Sequence, residues 1–572
     1  MQIYRFWQKI RFFFILSCIY YLLVIINLKQ QQANDIVKKK LSKELTNILF
    51  ELNYLHENNT KLKQQVIFLT KRLRIFEKNN SKQKKLNGPP EDYELLRRRI
   101  YSNTKEFWCY ISFELLSLAM SVRSNKTFII HMKTIIDEHY RSLLNDITKL
   151  TEVDGYSQWR RKEYIYLSTL VKKRLRISQT SEDCSKAKKL ACNLISDRQS
   201  CGYGCRLHHL VNCMVIAFAT KRILILDNPQ NWGFTSGGFT KLFFPLSNTC
   251  TSLNRNETVL PWPGNESVQV VNLSLPITAP NGPNRKRRPY PTPFNSLVLP
   301  KDLSRRLNVL HGDPAVWWIG QFVNYLIRPQ MSTIAIFEDY EFNFEFTKPI
   351  VGVHIRRTDK ISSFHRLEEY MYYVEEYYKL QELNGEVIYR KIYLATDDPT
   401  LFKEAYDKYP EYEILGEADL SETGSIKTRE LDDSIMSINI DIYFLSRCDY
   451  LVCTFSSHVC RLAYEIMNGL ELKDASAQFT SLDDAYYFND QIRGLNVAVL
   501  PHKANRPQEM DLKVGDEIEV VENQLNGYSK GIHLKTNKSL LYPTFKVTQK
   551  IEVMSFDSYS GIKISAEELE EE

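Results

Sequence analysis

The chain has 572 residues, of which 43% are hydrophobic and 25% charged, and its formal net charge is +7. This length exceeds what one hydrophobic core supports and predicts about two to four domains. The mild charge does not indicate a nucleic-acid-binding protein, and the composition excludes disorder as the main state.

The first predicted element is a membrane anchor at residues 12–28, preceded by a cytosolic tail at residues 1–11. The segment FFFILSCIYYLLVIINL carries no charge and follows Arg5, Lys9 and Arg11. Because no small-residue cleavage site comes after it, we expect an uncleaved anchor with the rest of the chain in the lumen. Its short length favours the thinner bilayer of the early secretory pathway.

A coiled-coil stem is predicted at residues 29–88. Apolar residues from Leu41 to Phe76 are spaced alternately by four and three, with Asn59 at an a position, a pattern that favours a parallel dimer. A helix packed on its own globular domain is the alternative. Residues 89–178 are predicted to be helical, with a role in spacing or packing.

Six of the eleven cysteines crowd between Cys184 and Cys250. The only nearby histidines are His208 and His209, and the chain has no C-x-x-C pair there. Disulfides in an oxidising lumen are therefore favoured over a zinc cluster. N-glycosylation sequons, the first at Asn58, fit the same compartment.

Three hydrophobic segments each end in a polar cluster. VGVHI leads into Arg356 and Arg357, KIYLA leads into Asp397 and Asp398, and DYLVCTF leads into Ser457. This pattern predicts an open parallel α/β sheet with a ligand site beyond the carboxyl ends of its strands. The alternatives are an ion pair for the arginines and a simple turn for the two aspartates.

The residue types in these clusters suit a nucleotide sugar. Arginine pairs bidentately with phosphate, and carboxylates can bind sugar hydroxyls or the edge of guanine. Neither a P-loop nor a G-x-G-x-x-G motif occurs, which disfavours an NTPase or a dehydrogenase. The absence of any D-x-D triplet favours arginine over a divalent ion at the phosphates.

Short alternating segments near the C-terminus predict an SH3-like barrel at residues 501–560, and an acidic tail follows at residues 561–572. Such a barrel could bind proline-rich peptides. That function is disfavoured because Leu525 stands where these grooves usually carry a tryptophan.

The motifs GYGCRLHH, HGDPAVWW, VGVHIRRTDK, YLATDDP, LVCTFSSHVCR and SLDDAYYF resemble those of the core α1,6-fucosyltransferases of N-glycans. The resemblance implies an α/β fold: a variant two-domain, GT-B-like glycosyltransferase with a Rossmann-type nucleotide half at residues 179–500, followed by the SH3-like barrel. It implies a single-pass type II Golgi membrane protein, here expected to be a homodimer through the stem. The implied reaction transfers fucose from GDP-fucose to O6 of the innermost N-acetylglucosamine of N-glycans, with inversion and without a metal or other cofactor.

The resemblance also assigns roles to residues. Arg356 would grip the β-phosphate, with Arg357 as its essential neighbour, and Asp441 would read guanine. The implied catalytic residues are Arg356, Arg357, Lys360, Asp397, Asp398, Asp441 and Ser457. The implied donor-binding residues are His354, Arg356, Asp441, Gly202, Gly204, Phe234 and Ser457, and the acceptor-binding residues are Asp484, Gln524 and Lys530. The implied disulfides are Cys184–Cys250, Cys192–Cys213, Cys201–Cys205 and Cys453–Cys460.

Four departures from the family concern mainly the acceptor and the general base. The segment after Lys360 lacks the family's glutamate, the proposed base, so Glu368 and Asp484 are the nearest substitute carboxylates in sequence, and Lys360 could share the work. The segment ITAPNGPNRKRRPYP lacks an aspartate near the acceptor, while Phe234 and Gln524 replace a tyrosine and a histidine. A GDP-binding pseudoenzyme and a protein O-fucosyltransferase therefore stay open as alternatives.

Overall fold

The structure is a computed structural model that describes most of the chain beyond the predicted stem. The described residues are 88–121, 126–194, 201–227, 232, 235–254, 256–264, 267–275, 296–358, 364–385, 387–424, 431–470, 472–489, 492–555, 559–565 and 568. The predicted tail, anchor and stem up to residue 87 lie outside them, as do Lys360 and Phe234. Within the described residues, no helix combines the length and apolar character needed to cross a bilayer.

Three long helices form the region that precedes the first strand. They are α1 (Glu91–Ser121), α2 (Lys126–Val153) and α3 (Ser157–Ser178). The buried carboxylate of Glu94 joins α1 to α3, because it accepts hydrogen bonds from Arg97 at 2.9 Å and from Arg160 Nε at 2.9 Å. A buried carboxylate is tolerated only when it is paired in this way.

The first sheet is parallel, with the strand order β2–β1–β4–β3. Its strands are β1 (Lys189–Leu194), β2 (Ile223–Leu226), β3 (Val259–Pro261) and β4 (Val270–Leu275). The connection from β1 to β2 contains α4 (Tyr203–Ala219), which is buried from Tyr203 to Phe218. A helix enclosed on every side in this way belongs to the core of a large domain.

A short strand and three helices lead from the first sheet to the second. They are β5 (Leu299–Pro300), α5 (Lys301–Leu310), α6 (Pro314–Leu326) and α7 (Met331–Asn343). Asp313 caps α6 by accepting a hydrogen bond from Val316 N at 3.2 Å, and Pro314 occupies the first turn, as the sequence DPAVWW favours.

The second sheet is also parallel, with the strand order β10–β9–β6–β7–β8. Its strands are β6 (Val351–Ile355), β7 (Lys391–Thr396), β8 (Glu413–Leu415), β9 (Tyr450–Cys453) and β10 (Phe479–Ser481). Its helices are α8 (Leu367–Gln381), α9 (Thr400–Lys408), α10 (Ala418–Thr423), α11 (Asp432–Leu445) and α12 (His458–Leu470). The three predicted strands are thus neighbours in one mixed α/β fold, as expected from their hydrophobic runs.

An antiparallel five-stranded sheet with the order β16–β15–β14–β13–β17 follows. It begins with β13 (Leu495–Ala498), before the predicted boundary at residue 501. The other strands near the C-terminus are β11 (Tyr487–Phe488), β12 (Ile492–Arg493), β14 (Glu517–Asn523), β15 (Tyr528–His533), β16 (Lys538–Pro543), β17 (Val547–Lys550) and β18 (Val553–Met554).

Close packing of α6 on α12 fixes the helix that follows β9. A Cβ added at Gly320 would lie 2.2 Å from the backbone oxygen of Glu465, and one added at Gly469 would lie 2.7 Å from the carbonyl carbon of Gly320. Neither backbone could therefore approach the other if these glycines carried side chains. The second half of α12 is held against α6 in this way.

Candidate active site

The polar clusters predicted from the sequence meet at one edge of the second sheet. In the sheet register, Ile355 pairs with Thr396 and Val353 pairs with Val452. The segments that follow β6, β7 and β9 therefore leave the sheet side by side, where parallel sheets bind ligands.

Asp397 holds the turn that follows β6. Its carboxylate accepts hydrogen bonds from the backbone nitrogens of Arg357, at 2.7 Å, and Thr358, at 3.2 Å. The hydroxyl of Thr358 donates to the same carboxylate at 2.5 Å. Asp397 thus holds the backbone on either side of Arg357. This role goes beyond that of a simple turn before Pro399.

Arg357 is engaged with acidic side chains. Its Nη1 lies 3.0 Å from Glu404 and 3.5 Å from Asp398, and its guanidinium stands 5.2 Å from the ring centre of Phe364. Asp398 also accepts hydrogen bonds from the backbone and hydroxyl of Thr400 at the start of α9. Arg357 and Asp398 therefore form an ion pair, which is the alternative to ligand binding given above for the arginines. Both side chains have partners within the protein.

Arg356 directly follows the last residue of β6 at the same edge. It is partly exposed, and its positive charge lowers the pKa of both His354 and His458. Burial contributes more to each shift and brings the pKa of His354 to about 4, so this histidine is neutral. Within the described part of the chain, the buried His354 Nδ1 and Ser457 Oγ have no hydrogen-bond partner.

Asp441 lies on α11 and contacts Tyr393 of β7. Its carboxylate accepts a hydrogen bond from the buried Tyr393 hydroxyl at 2.9 Å. Burial raises the pKa of Asp441 to about 7, although the Tyr393 hydrogen bond acts in the opposite direction. A carboxylate with so few donors around it is suited to accept hydrogen bonds from a ligand such as guanine.

The predicted glycines have different roles at the N-terminus of α4. A Cβ added at Gly204 would lie 2.8 Å from the Cβ of His458, so this glycine permits close packing of α4 on α12. A Cβ at Gly202, which precedes the first helical residue, would meet nothing within 4 Å. Gly202 therefore leaves open space at the start of α4.

The structure contains the four disulfides that the resemblance implies. They are Cys184–Cys250, Cys192–Cys213, Cys201–Cys205 and Cys453–Cys460. Cys201, Cys205 and His209 approach one another closely enough to suggest a metal site, but the two cysteines are bonded to each other. The last disulfide joins the end of β9 to α12 and so braces the loop that carries Ser457.

The three predicted acceptor residues gather around a fourth residue, Glu522, that the sequence did not indicate. Asp484 and Glu522 form an isolated β-bridge, and Lys530 is the cross-strand partner of Glu522. Burial raises the pKa of Glu522, with the charge of Asp484 acting in the same direction, while Lys530 and a hydrogen bond from Gln524 oppose it. The antiparallel sheet therefore contributes an acidic, partly buried cluster at the edge of the parallel sheet.

Comparison with known proteins identifies the family. Residues 2–487 match the family model described as alpha-(1,6)-fucosyltransferase N- and catalytic domains. The chain belongs to the α-(1,6)-fucosyltransferase family. It is 42% identical to an alpha-(1,6)-fucosyltransferase of Drosophila melanogaster over 83% of this chain and 76% of the relative. It is 34% identical to one of Caenorhabditis elegans over 74% of this chain and 75% of that protein.

Among solved structures, this chain is similar to the fucosyltransferase NodZ from Bradyrhizobium. The match covers 48% of this chain and 92% of NodZ at 12% identity, with a TM-score of 0.29. A similarity of that size carries no argument about the site.

Both carboxylates that the sequence suggested as substitute bases, Glu368 and Asp484, have cationic neighbours in the structure. Glu368, with a side chain 49% exposed, forms an ion pair with Lys408, which also contacts Glu404. Asp484 lies 3.5 Å from a guanidinium nitrogen of Arg493. Both carboxylates are therefore already paired with cations.

A hydrogen-bonded chain of polar side chains that joins α4 to α12 was not predicted from the sequence. It consists of His458, His208 and Glu465, which are hydrogen-bonded in that order. His458 and Glu465 are separated by seven residues on α12, so they share one face of the helix, and this spacing is the signal that could have found them.

Proposed function

We propose that this chain transfers L-fucose from GDP-fucose to O6 of the innermost N-acetylglucosamine of N-glycans, inverting the anomeric centre without a metal. The observation that carries the proposal is the family match over residues 2–487 together with Arg356, which stands at the end of β6 on a turn that Asp397 holds. The chain is thereby an alpha-(1,6)-fucosyltransferase of the glycosyltransferase class.

Arg356 would supply the main electrostatic stabilisation of the reaction. As the bond between fucose and GDP breaks, negative charge builds on the β-phosphate, and a preorganised guanidinium stabilises that charge more than the ground state. His354 and Ser457 offer polar atoms at the same strand ends, and Asp441 would accept hydrogen bonds from guanine. Arg357, Asp397 and Asp398 would act mainly by fixing the loop.

The acceptor would lie between the second parallel sheet and the antiparallel sheet near the C-terminus. Asp484 belongs to the segment after β10, whereas Gln524 and Lys530 come from the antiparallel sheet, for which we propose the SH3-like assignment. Glu522, at the centre of this cluster, joins the proposed acceptor-binding residues. Carboxylates and amides of this kind hydrogen-bond sugar hydroxyls.

For the whole protein we propose a type II Golgi membrane enzyme with a variant GT-B-like body in the lumen. The uncharged segment at residues 12–28 and the heptads from Leu41 to Phe76 support the anchor and the dimeric stem. The four disulfides support an oxidising compartment.

A transfer assay tests this function. The lumenal part of the chain is incubated with radiolabelled GDP-fucose and an agalacto biantennary glycopeptide, with the Arg356→Ala variant as control. We expect α1,6-linked label on the innermost sugar and no effect of EDTA. GDP binding without transfer would favour the pseudoenzyme, and label on protein hydroxyls would favour an O-fucosyltransferase. Inhibition by EDTA that manganese reverses would contradict the metal-free mechanism.

A further inference from the structure

Two adjacent residues of α1 contact the two sheets that would hold the substrates. Lys105 Nζ lies 3.4 Å from the hydroxyl of Tyr450 on β9. The next residue, Glu106, accepts a hydrogen bond at 2.9 Å from the side-chain amide of Asn523, the last residue of β14. A single turn of α1 therefore contacts both the second parallel sheet and the antiparallel sheet.

The turn that joins β14 to β15, residues 523–528, carries Gln524, and we call it the acceptor turn. The side-chain oxygen of Asn523 accepts a hydrogen bond from the backbone nitrogen of Leu525 at 2.9 Å. The nitrogen of the same amide donates to Glu106. Glu106 therefore holds the acceptor turn through the side chain that shapes its first residues.

A close backbone contact holds the other end of the acceptor turn against α1. Gly527 has a φ of 83°, and a Cβ added there would lie 2.7 Å from the Cβ of Tyr110. The same Cβ would lie 3.5 Å from the backbone oxygen of Glu106. Tyr110 follows Glu106 by four residues, so both ends of the acceptor turn contact one face of α1.

The proposed acceptor-binding residues are expected on the side of β14 that is turned away from α1. Successive side chains of a strand point to opposite faces, so Glu522 points away from the face on which Asn523 meets Glu106. Glu522 forms its isolated β-bridge with Asp484 and pairs across the strands with Lys530. A displacement of the acceptor turn would therefore displace the groups that would bind the glycan.

We infer that Glu106 positions the acceptor turn, and the acceptor-binding residues that flank it, relative to the second parallel sheet; this inference rests on the proposed function. The donor would lie at the strand ends of that sheet, whereas the acceptor would be held partly by the antiparallel sheet. O6 reaches fucose C1 only when the two sheets keep a fixed separation. α1 fixes this separation because Lys105 contacts one sheet and Glu106 the other. Glu106 acts through the acceptor turn and is therefore a positioning residue.

Stability alone does not account for a carboxyl group at this place. Burial raises the pKa of Glu106, while hydrogen bonds from Asn523 and Thr544 act in the opposite direction. The ionised form is therefore less favourable here than in water. Its hydrogen bond to the acceptor turn accounts for the presence of a carboxyl group.

The experiment compares the Glu106→Ala, Glu106→Gln and Gly527→Ala variants of the full chain. Values of kcat and KM are measured separately for the agalacto biantennary glycopeptide and for GDP-fucose, while calorimetry with GDP-fucose and thermal melting report the donor site and the fold. Glu114→Ala is the control for Glu106, because Glu114 is an exposed glutamate on the same helix. Gly515→Ala is the control for Gly527, because Gly515 has a similar φ of 88° but a Cβ there would meet nothing within 4 Å.

A misplacement of about 1 Å can cost about 100-fold in rate. We therefore expect kcat/KM for the glycopeptide to fall about 10- to 100-fold in Glu106→Ala and Gly527→Ala, with GDP-fucose affinity unchanged. Glu106→Gln should keep most of the activity, since its carbonyl oxygen can still accept from Asn523. Both control variants should retain wild-type kinetics. If Glu106→Ala loses GDP-fucose binding through misfolding, Gly527→Ala and its control decide the question.

Three results would overturn the inference. One is a kcat/KM for the glycopeptide that does not differ between these variants and their controls. Another is an equal loss for both substrates together with a lower melting temperature, which would make Glu106 a residue of general stability. The third is a Glu106→Gln variant as impaired as Glu106→Ala, which would exclude the hydrogen bond as the cause. Absence of transfer by the wild-type chain would instead refute the proposed function.

Discussion

GDP-fucose binding is expected to weaken as the pH falls below about 7, because Asp441 must be ionised to accept hydrogen bonds from guanine. Burial raises the pKa of this carboxyl to about 7, with Tyr393 as its hydrogen-bond donor. At about one pH unit below that pKa only about a tenth of the protein is ionised, so binding weakens about tenfold, or about 1.4 kcal/mol, per unit. Above about pH 8 the dissociation constant should be constant.

The assay is calorimetric titration with GDP-fucose, in the absence of acceptor, across this pH range. GDP-fucose is preferred to GDP because its pyrophosphate has no terminal phosphate to titrate near neutrality. Asp441→Asn should bind weakly and without this pH dependence. Tyr393→Phe should move the midpoint to higher pH, because the Tyr393 hydrogen bond favours the ionised form.

The same pKa predicts the effect of Asp441 on folding. Its folded-state pKa lies above the usual value of 3.8, so its contribution to stability is present at acid pH and is lost as the pH rises through about 7. Asp441→Asn should therefore melt at a higher temperature than the wild-type chain above that pH. Equal wild-type affinity for GDP-fucose at about one unit below and above pH 7, or full affinity in Asp441→Asn, would refute this reasoning.

The remaining predictions concern the arginine pair, the stem and the antiparallel C-terminal sheet. Arg356→Ala should lower kcat by about 10²–10³-fold. Arg357→Ala should lower the melting temperature, because it leaves Asp398 and Glu404 without their cation; an unchanged melting temperature in Arg357→Ala would contradict this. Removing the heptads from Leu41 to Phe76 should weaken the dimer in sedimentation, and unchanged dimer affinity would exclude the stem as the main contact. The antiparallel C-terminal sheet should give no micromolar hit on a proline-rich peptide array.

Several features of the site could be read from the sequence because they depend on local patterns. The hydrophobic runs that end at Arg356, Asp397 and Ser457 predicted three parallel strands with converging polar ends, and the structure places β6 between β7 and β9. The resemblance implied the four disulfide pairs and the family, and the family is confirmed. The roles assigned to individual residues stay predictions that the experiments above can test.

The partners of these residues depended on contacts between distant parts of the chain. His208 and His458 are 250 residues apart, and the sequence alone did not show that packing of α4 on α12 brings their rings together. In the same way, only the fold shows that Arg357 is paired with Asp398 and Glu404, and that the charge of Arg356 lowers the pKa of His354 and of His458. Hydrophobic periodicity determines which segments become strands and helices, since burial of one face depends on local spacing. The protonation and pairing of a polar side chain depend on the charges and burial around it, and those exist only once the tertiary structure has formed.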